Sequence, residues 1–291
     1  MPHREDTFEA ADGTRLFENL WLPAGDAKAV VLLIHGFTEH GGRYAPLAER
    51  FNRHGYVVRA PDLRGHGRSG GRRVFVRSLD EYLDDLGRSY SRVHHHHPGL
   101  PVFLLGHSMG GQLLALEAVK GNTFLFASTN KETVPTPSIR GLVFSAAALR
   151  LDDALFPLLR RLAVWAGRWF PHLRLVRLGT NGLSQDPRVV AAFRADPLVF
   201  HGRFPIATGA AILQAIERIQ ANLEAVRLPL LALHGTGDVV TDPEGSRQLH
   251  ARATSDDKTL KLYDGLYHDL FHEPPWEDVA DDVLTWMDRR V

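Results

Sequence analysis

The sequence predicts an α/β fold built on a mostly parallel sheet with helices on both faces. Two observations predict it. Short, largely apolar runs recur along the chain, and stretches with helical periodicity lie between most of them. A strand buried on both faces has no polar side, so its sequence does not alternate. Alternation of such runs with helices implies parallel strands joined by crossovers.

The candidate strands, in order, are "AVVLLIHG" (29–36), "GYVVRAPD" (55–62), "PVFLLGH" (101–107), "IRGLVFSA" (139–146), "LPLLALHG" (228–235) and "KTLKLYDG" (258–265). The candidate helices cover 43–54, 79–93, 109–119, 243–253 and 275–290. Two opening strands, near 6–10 and 15–22, alternate more and meet at "ADGTR". An Asp-Gly turn of this kind predicts an antiparallel hairpin at one sheet edge.

Two regions break the rhythm. Residues 147–205 hold no good strand and are expected to form a helical insertion after the sixth strand, counting the two of the opening hairpin. They divide the chain into a first core segment (1–146), a cap (147–205) and a second core segment (206–291). Within the cap, Leu155, Leu158, Leu159, Leu162, Trp165 and Trp169 fall on one helical face, with Arg160, Arg161 and Arg168 on others. Asp152 or Asp153 is the expected N-cap. Such a helix either packs on the core, lines a lipid pocket or rests on a lipid surface. The second break, "GNTFLFASTNKETVPTPS" (121–138), reads as a loop. It should lie at the sheet edge opposite any site near residue 108. "HHHH" (94–97) ends a helix before Pro98-Gly99 and, without a carboxylate cluster, reads as a solvated helix end rather than a metal site.

Composition narrows the function classes. The 291 residues carry 34 basic and 34 acidic side chains, so nothing points to a nucleic-acid partner. There is no cysteine, which excludes disulfides, thiolate metal sites and cysteine nucleophiles. The N-terminal stretch is charged and reads as no signal peptide. No apolar run approaches the ~18 residues of a membrane span. The expectation is a cytoplasmic protein that touches a membrane surface without crossing it.

One stretch carries chemistry. Gly106-His107-Ser108-Met109-Gly110 fits G-x-S-x-G at the end of an apolar run and the start of a helical pattern. That sharp turn strains the serine backbone and presents its hydroxyl at the C-terminal edge of the sheet. A serine nucleophile needs a base, and the base needs an orienting carboxylate. After the next-to-last strand run come Asp238 and Asp242. Asp242 precedes Pro243 and reads as an N-cap with proline at the first helical position. Asp238 has no such structural task and is the candidate acid. His268 follows the last strand run and is the candidate base; His250 lies inside a helical stretch, and His272 lies one turn beyond. Backbone N–H groups of Met109 and of Phe37, in the loop after "VVLLIHG", are the candidate oxyanion donors.

These residues resemble the monoacylglycerol lipase branch of the α/β-hydrolases, near the lysophospholipase-like enzymes. The matching stretches are "HGFTEHGGRY" (35–44), "PDLRGHGRSGG" (61–71), "FLLGHSMGG" (103–111), "LSQDPRVVAAFRADPLVFHG" (183–202), "HGTGDVVTDPEGS" (234–246) and "DKTLKLYDGLYHDLFHE" (257–273). They span nearly the whole chain in family order. The resemblance implies an α/β-hydrolase fold with an eight-stranded sheet and a mobile cap after the sixth strand. It implies a Ser108–Asp238–His268 triad and an oxyanion hole at Phe37 and Met109. It implies no cofactor, and a small lipid ester as substrate, with monoacylglycerol favoured. A lysophospholipase or general carboxylesterase would use the same triad, and a non-catalytic binding module would be expected to have lost one of its members. Asp62, Arg64 and His66 read as structural hydrogen-bonding residues.

Overall fold

The structure, a computed structural model, describes residues 3–121, 139–150 and 157–291. The chain opens with the antiparallel hairpin β1 (His3–Glu9) and β2 (Arg15–Trp21), closed at Ala10–Thr14, where Gly13 takes a positive φ. Then come β3 (Ala29–Ile34), α1 (Ala45–Arg53), β4 (Tyr56–Pro61), α2 (Asp80–His96), β5 (Val102–His107), α3 (Met109–Lys120) and β6 (Ile139–Ser145). Beyond β6 lie α4 (Pro157–Trp169), β7 (Arg174–Val176), α5 (Pro187–Ala195), β8 (Phe204–Pro205) and α6 (Ile206–Ala221). The chain closes with β9 (Leu230–Gly235), α7 (Pro243–Arg252), β10 (Lys258–Tyr263) and α8 (Trp276–Asp288).

Eight strands form one sheet in the order β1-β2-β4-β3-β5-β6-β9-β10. β2 runs antiparallel to both neighbours, and every pairing from β4 through to β10 is parallel. The continuous apolar runs have a direct cause. Successive side chains point to opposite faces, and both faces are covered. Leu32, Leu104 and Leu142 pack with α2, α3 and α6 on one face. Val31, Phe103 and Val143 pack with α1 and α8 on the other.

Two expectations for 147–205 need correction or restriction. The region does contain strands: β7 and β8 pair antiparallel as a small second sheet. At three and two residues they are too short to carry a period-2 signal, and β8 ends on a proline. Asp152, Asp153 and Leu155, with the 121–138 insertion beyond Gly121, lie outside the described residues. α4 packs against α6, with Gly167 close to Ala210. Trp165 and Trp169 remain 56% and 65% exposed, so this face is not packed on the core. The histidine run closes α2, with His97 at its C-cap. The loop after β4 is held as read from the sequence. Asp62 accepts from the Gly41 and Arg68 N–H groups, Arg64 makes a two-pronged contact to Asp85, and His66 bonds the Arg64 carbonyl.

Candidate active site

Parallel strands place all their C-terminal ends on one edge, where loops from different strands meet. Phe37 follows β3, Ser108 follows β5, Asp238 follows β9 and His268 follows β10, so the five candidate residues, with Met109, share that edge. Ser108 sits between β5 and α3 with φ +52°. A non-glycine residue held there is strained. Its amide donates to the Ser145 carbonyl, and its carbonyl accepts from Gln112 and Ala148. The flanking glycines are required by close approach. A Cβ at Gly106 would stand 2.5 Å from the Gly110 backbone, and one at Gly110 would overlap the Ile34 carbonyl oxygen.

Asp238 and His268 meet directly: His268 Nδ1 lies 2.7 Å from Asp238 Oδ2. Asp238 Oδ1 accepts from the Val240 and Thr241 N–H groups at 2.7 and 3.0 Å. Oδ2 also faces Thr241 Oγ1 at 2.8 Å and His234 Nε2 at 3.1 Å. Burial alone would raise the Asp238 pKa, but this ring of donors and the His268 charge hold it well below the carboxylate range. For His268 the balance is reversed. Burial lowers its pKa, while the Asp238 hydrogen bond and charge, with Asp269 and Glu39, raise it overall. Asp242 does what its sequence position predicted: it caps α7 by accepting from Glu244 N–H, with Pro243 at the first position.

A second buried network carries the loop after β3. Glu39 Oε1 accepts from the Gly36 N–H at 2.6 Å and from the Tyr44 hydroxyl at 2.8 Å, and its other oxygen pairs with Arg43. Arg43 also reaches Asp269 at 2.8 Å, next to His268. Burial would raise the Glu39 pKa, but the Arg43 and His107 charges hold it down to about 2. This network draws the loop against Ser108, so that a Cβ at Gly36 would stand 3.2 Å from the Ser108 Cβ. Met109 opens α3, and the first N–H groups of a helix have no partner within it.

Ser108, His268 and Phe37 open on one cavity of about 690 Å³. Its apolar lining comes from Leu178, Leu183, Phe193, Phe200 and Val240. The tryptophans of α4 are not in that lining; Trp165 borders a separate groove with Arg77 and Arg168. The segment over the cavity is tied to the core. Phe200 N–H donates to the Thr38 carbonyl, His40 meets Asp196 at 2.9 Å, and the His268 and Asp269 N–H groups donate to Gly182 and Leu183.

The family profile described as serine aminopeptidase, S33, matches residues 25–275. The chain belongs to that family. It is 37% identical to the monoacylglycerol lipase of Mycolicibacterium smegmatis, over 97% of this chain and 96% of that protein. It is 34% identical to the monoglyceride lipase of Rattus norvegicus, over 97% of this chain and 89% of that protein. The crystal structure of the Paleococcus ferrophilus monoacylglycerol lipase superposes with a TM-score of 0.79 at 30% identity, covering the whole of both chains. This S33-family chain is a serine hydrolase with an α/β-hydrolase fold.

Three participants in the site drew no attention in the sequence. Glu39 and Arg43 lie within a quoted stretch as i, i+4 neighbours, but the reach of Arg43 to Asp269 needs the fold. His234 closes a fully buried strand, and a polar residue at the end of such a strand was the available signal.

Proposed function

We propose that this protein hydrolyses monoacylglycerols through an acyl-enzyme formed on Ser108. The observation that carries the reading is the 2.7 Å contact between His268 Nδ1 and Asp238, at the same cavity as the strained Ser108. Ser108 Oγ attacks the ester carbonyl as His268 Nε2 takes its proton. The Phe37 and Met109 N–H groups receive the oxyanion. The intermediate collapses, His268 returns the proton to the departing glycerol oxygen, and the acyl group stays on Ser108. Water, deprotonated by His268, then releases the fatty acid.

The substrate reading is supported by the names of the relatives and by the apolar wall of the cavity. Each methylene buried there contributes ~0.8 kcal/mol. The family label alone would also admit a peptide N-terminus, whose ammonium needs a free carboxylate. The acid in the described lining is Glu39, and both its oxygens are engaged by Gly36, Tyr44 and Arg43. Ester hydrolysis is therefore favoured.

Residues 147–205 act in this reading as a cap whose outer face rests on a lipid surface. Leu162, Trp165, Trp169, Phe170, Leu173, Leu175 and Val176 are exposed there. Residues 157–205 carry eight arginines against two aspartates in a chain that is neutral as a whole. The decisive assay compares kcat/KM for monooleoylglycerol, lysophosphatidylcholine and short p-nitrophenyl esters. The glyceride is expected to be the best of the three; if it is the poorest, the substrate assignment fails.

A further inference from the structure

We propose that His234 is a positioning residue for the acid, holding the Asp238 carboxylate through its Nε2–H and moderating that carboxylate's pull on His268. The inference rests on the triad reading above and adds a fourth member to it.

His234 is fully buried at the end of β9, four residues before Asp238. Its Nε2 lies 3.1 Å from Asp238 Oδ2, the same oxygen that His268 Nδ1 meets. Its Nδ1 lies 2.8 Å from the hydroxyl of Ser246, itself fully buried on α7. The tautomer follows from these contacts. A bare imidazole nitrogen 3.1 Å from an ionised carboxylate would set lone pair against lone pair, so Nε2 carries the proton. Nδ1 then accepts, and the Ser246 hydroxyl donates to it. The order of donation is Ser246 to His234 to Asp238. One carboxylate oxygen is thereby shared among His268, His234 and Thr241.

That sharing has a chemical consequence. Negative charge drawn toward His234 is not available to stabilise protonated His268. His268 must be neutral to accept the Ser108 proton, so a less demanding carboxylate keeps more of it in the working form near neutrality. The other ionisable groups around His268 come from elements other than β9. They are His107 at the end of β5, with its ring centre 4.8 Å away, Glu39 in the loop after β3, and Asp269, which pairs with Arg43 and His272. A change at His234 leaves all of them in place.

The experiment is the pH profile of kcat/KM for a soluble p-nitrophenyl ester, whose acid limb reports the base of the free enzyme. His234→Phe removes the donor and is expected to move that limb upward by about half a unit to one unit. His234→Gln, which returns an N–H near the Nε2 position, is expected to restore the wild-type limb. Ser246→Ala frees the tautomer and is expected to shift the limb the same way by less; it carries the test if His234→Phe does not fold. An unmoved limb in His234→Phe, or in Ser246→Ala where that variant carries the test, overturns the inference, as does equal displacement in the Phe and Gln variants. Asp238→Asn separates the two levels. If it stays active, the triad reading itself falls. If it is inactive while the limb of His234→Phe does not move, only the role of His234 falls.

Discussion

Replacing Asp238 by Asn tests the site at its most constrained point. Oδ1 accepts two backbone N–H groups, from Val240 and Thr241, so the asparagine carbonyl must occupy that position. The amide nitrogen is then forced to where Oδ2 stood, facing His268 Nδ1, His234 Nε2 and Thr241 Oγ1. It donates where an acceptor was needed. His268 can answer only by moving its proton from Nδ1 to Nε2. It would then present N–H rather than a lone pair to Ser108 and could not act as a base. The same inversion of tautomer in a Ser-His-Asp site costs ~10⁴-fold in kcat, or about 5 kcal/mol of barrier. The buried mismatch should also lower stability by ~1–3 kcal/mol. Steady-state hydrolysis of monooleoylglycerol and of a p-nitrophenyl ester measures the first effect, and urea denaturation the second. Asp242→Ala is the control. It loses an N-cap worth about 1 kcal/mol of stability and should leave kcat within about twofold. Retention of more than about a tenth of wild-type kcat in Asp238→Asn would refute the assignment of this acid.

The remaining predictions concern pH, packing and the cap. His268 is held above its ordinary pKa, chiefly by Asp238 against the effect of burial, so kcat/KM should rise with pH through an acid limb centred above ~6.5; a stopped-rate profile reads it. Asp238, Asp269 and Glu39 have depressed pKa values. They contribute stability above the ordinary carboxylate range, and that stability is lost as pH falls below ~4, which denaturation midpoints at about pH 2.5 and pH 7 will compare. Arg59 and Glu18 form a buried ion pair between β4 and β2, so Arg59→Met should cost ~3 kcal/mol in urea denaturation by leaving buried Glu18 with only the longer Arg92 contact at 3.8 Å and the Ser89 hydroxyl at 3.3 Å. Trp165→Ala and Trp169→Ala should each weaken sedimentation with phosphatidylglycerol vesicles by about tenfold or more, leaving hydrolysis of a soluble ester unchanged.

The sheet was legible because burial on both faces removes polar positions from β3, β5 and β9, leaving runs that few other structures produce. Asp238 was preferred to Asp242 as the candidate acid because Pro243 gave Asp242 a structural task; the structure shows Asp242 performing that task and Asp238 in contact with His268. Local signals failed where the cause is not local. β7 and β8 exist through pairing across residues 174–205, which two or three residues cannot announce. The helical pattern of α4 correctly implied an apolar face, but amphipathicity does not say what covers that face. Leu178, Leu183, Phe193 and Phe200, rather than the tryptophans, line the cavity. His234 and Glu39 have partners close in sequence, but Arg43 reaches Asp269 far along the chain, and only the fold brings Asp238 to His268 and the Glu39 loop to Ser108.

The central claim is that Ser108 is the nucleophile of a hydrolase activated by His268 and Asp238. Labelling with a fluorophosphonate, followed by intact mass and peptide mapping, tests it most directly. The account predicts one stoichiometric adduct on Ser108 in the wild-type protein and none in Ser108→Ala, with esterase activity lost in that variant. An adduct on another residue, or retained esterase activity in Ser108→Ala, would contradict it.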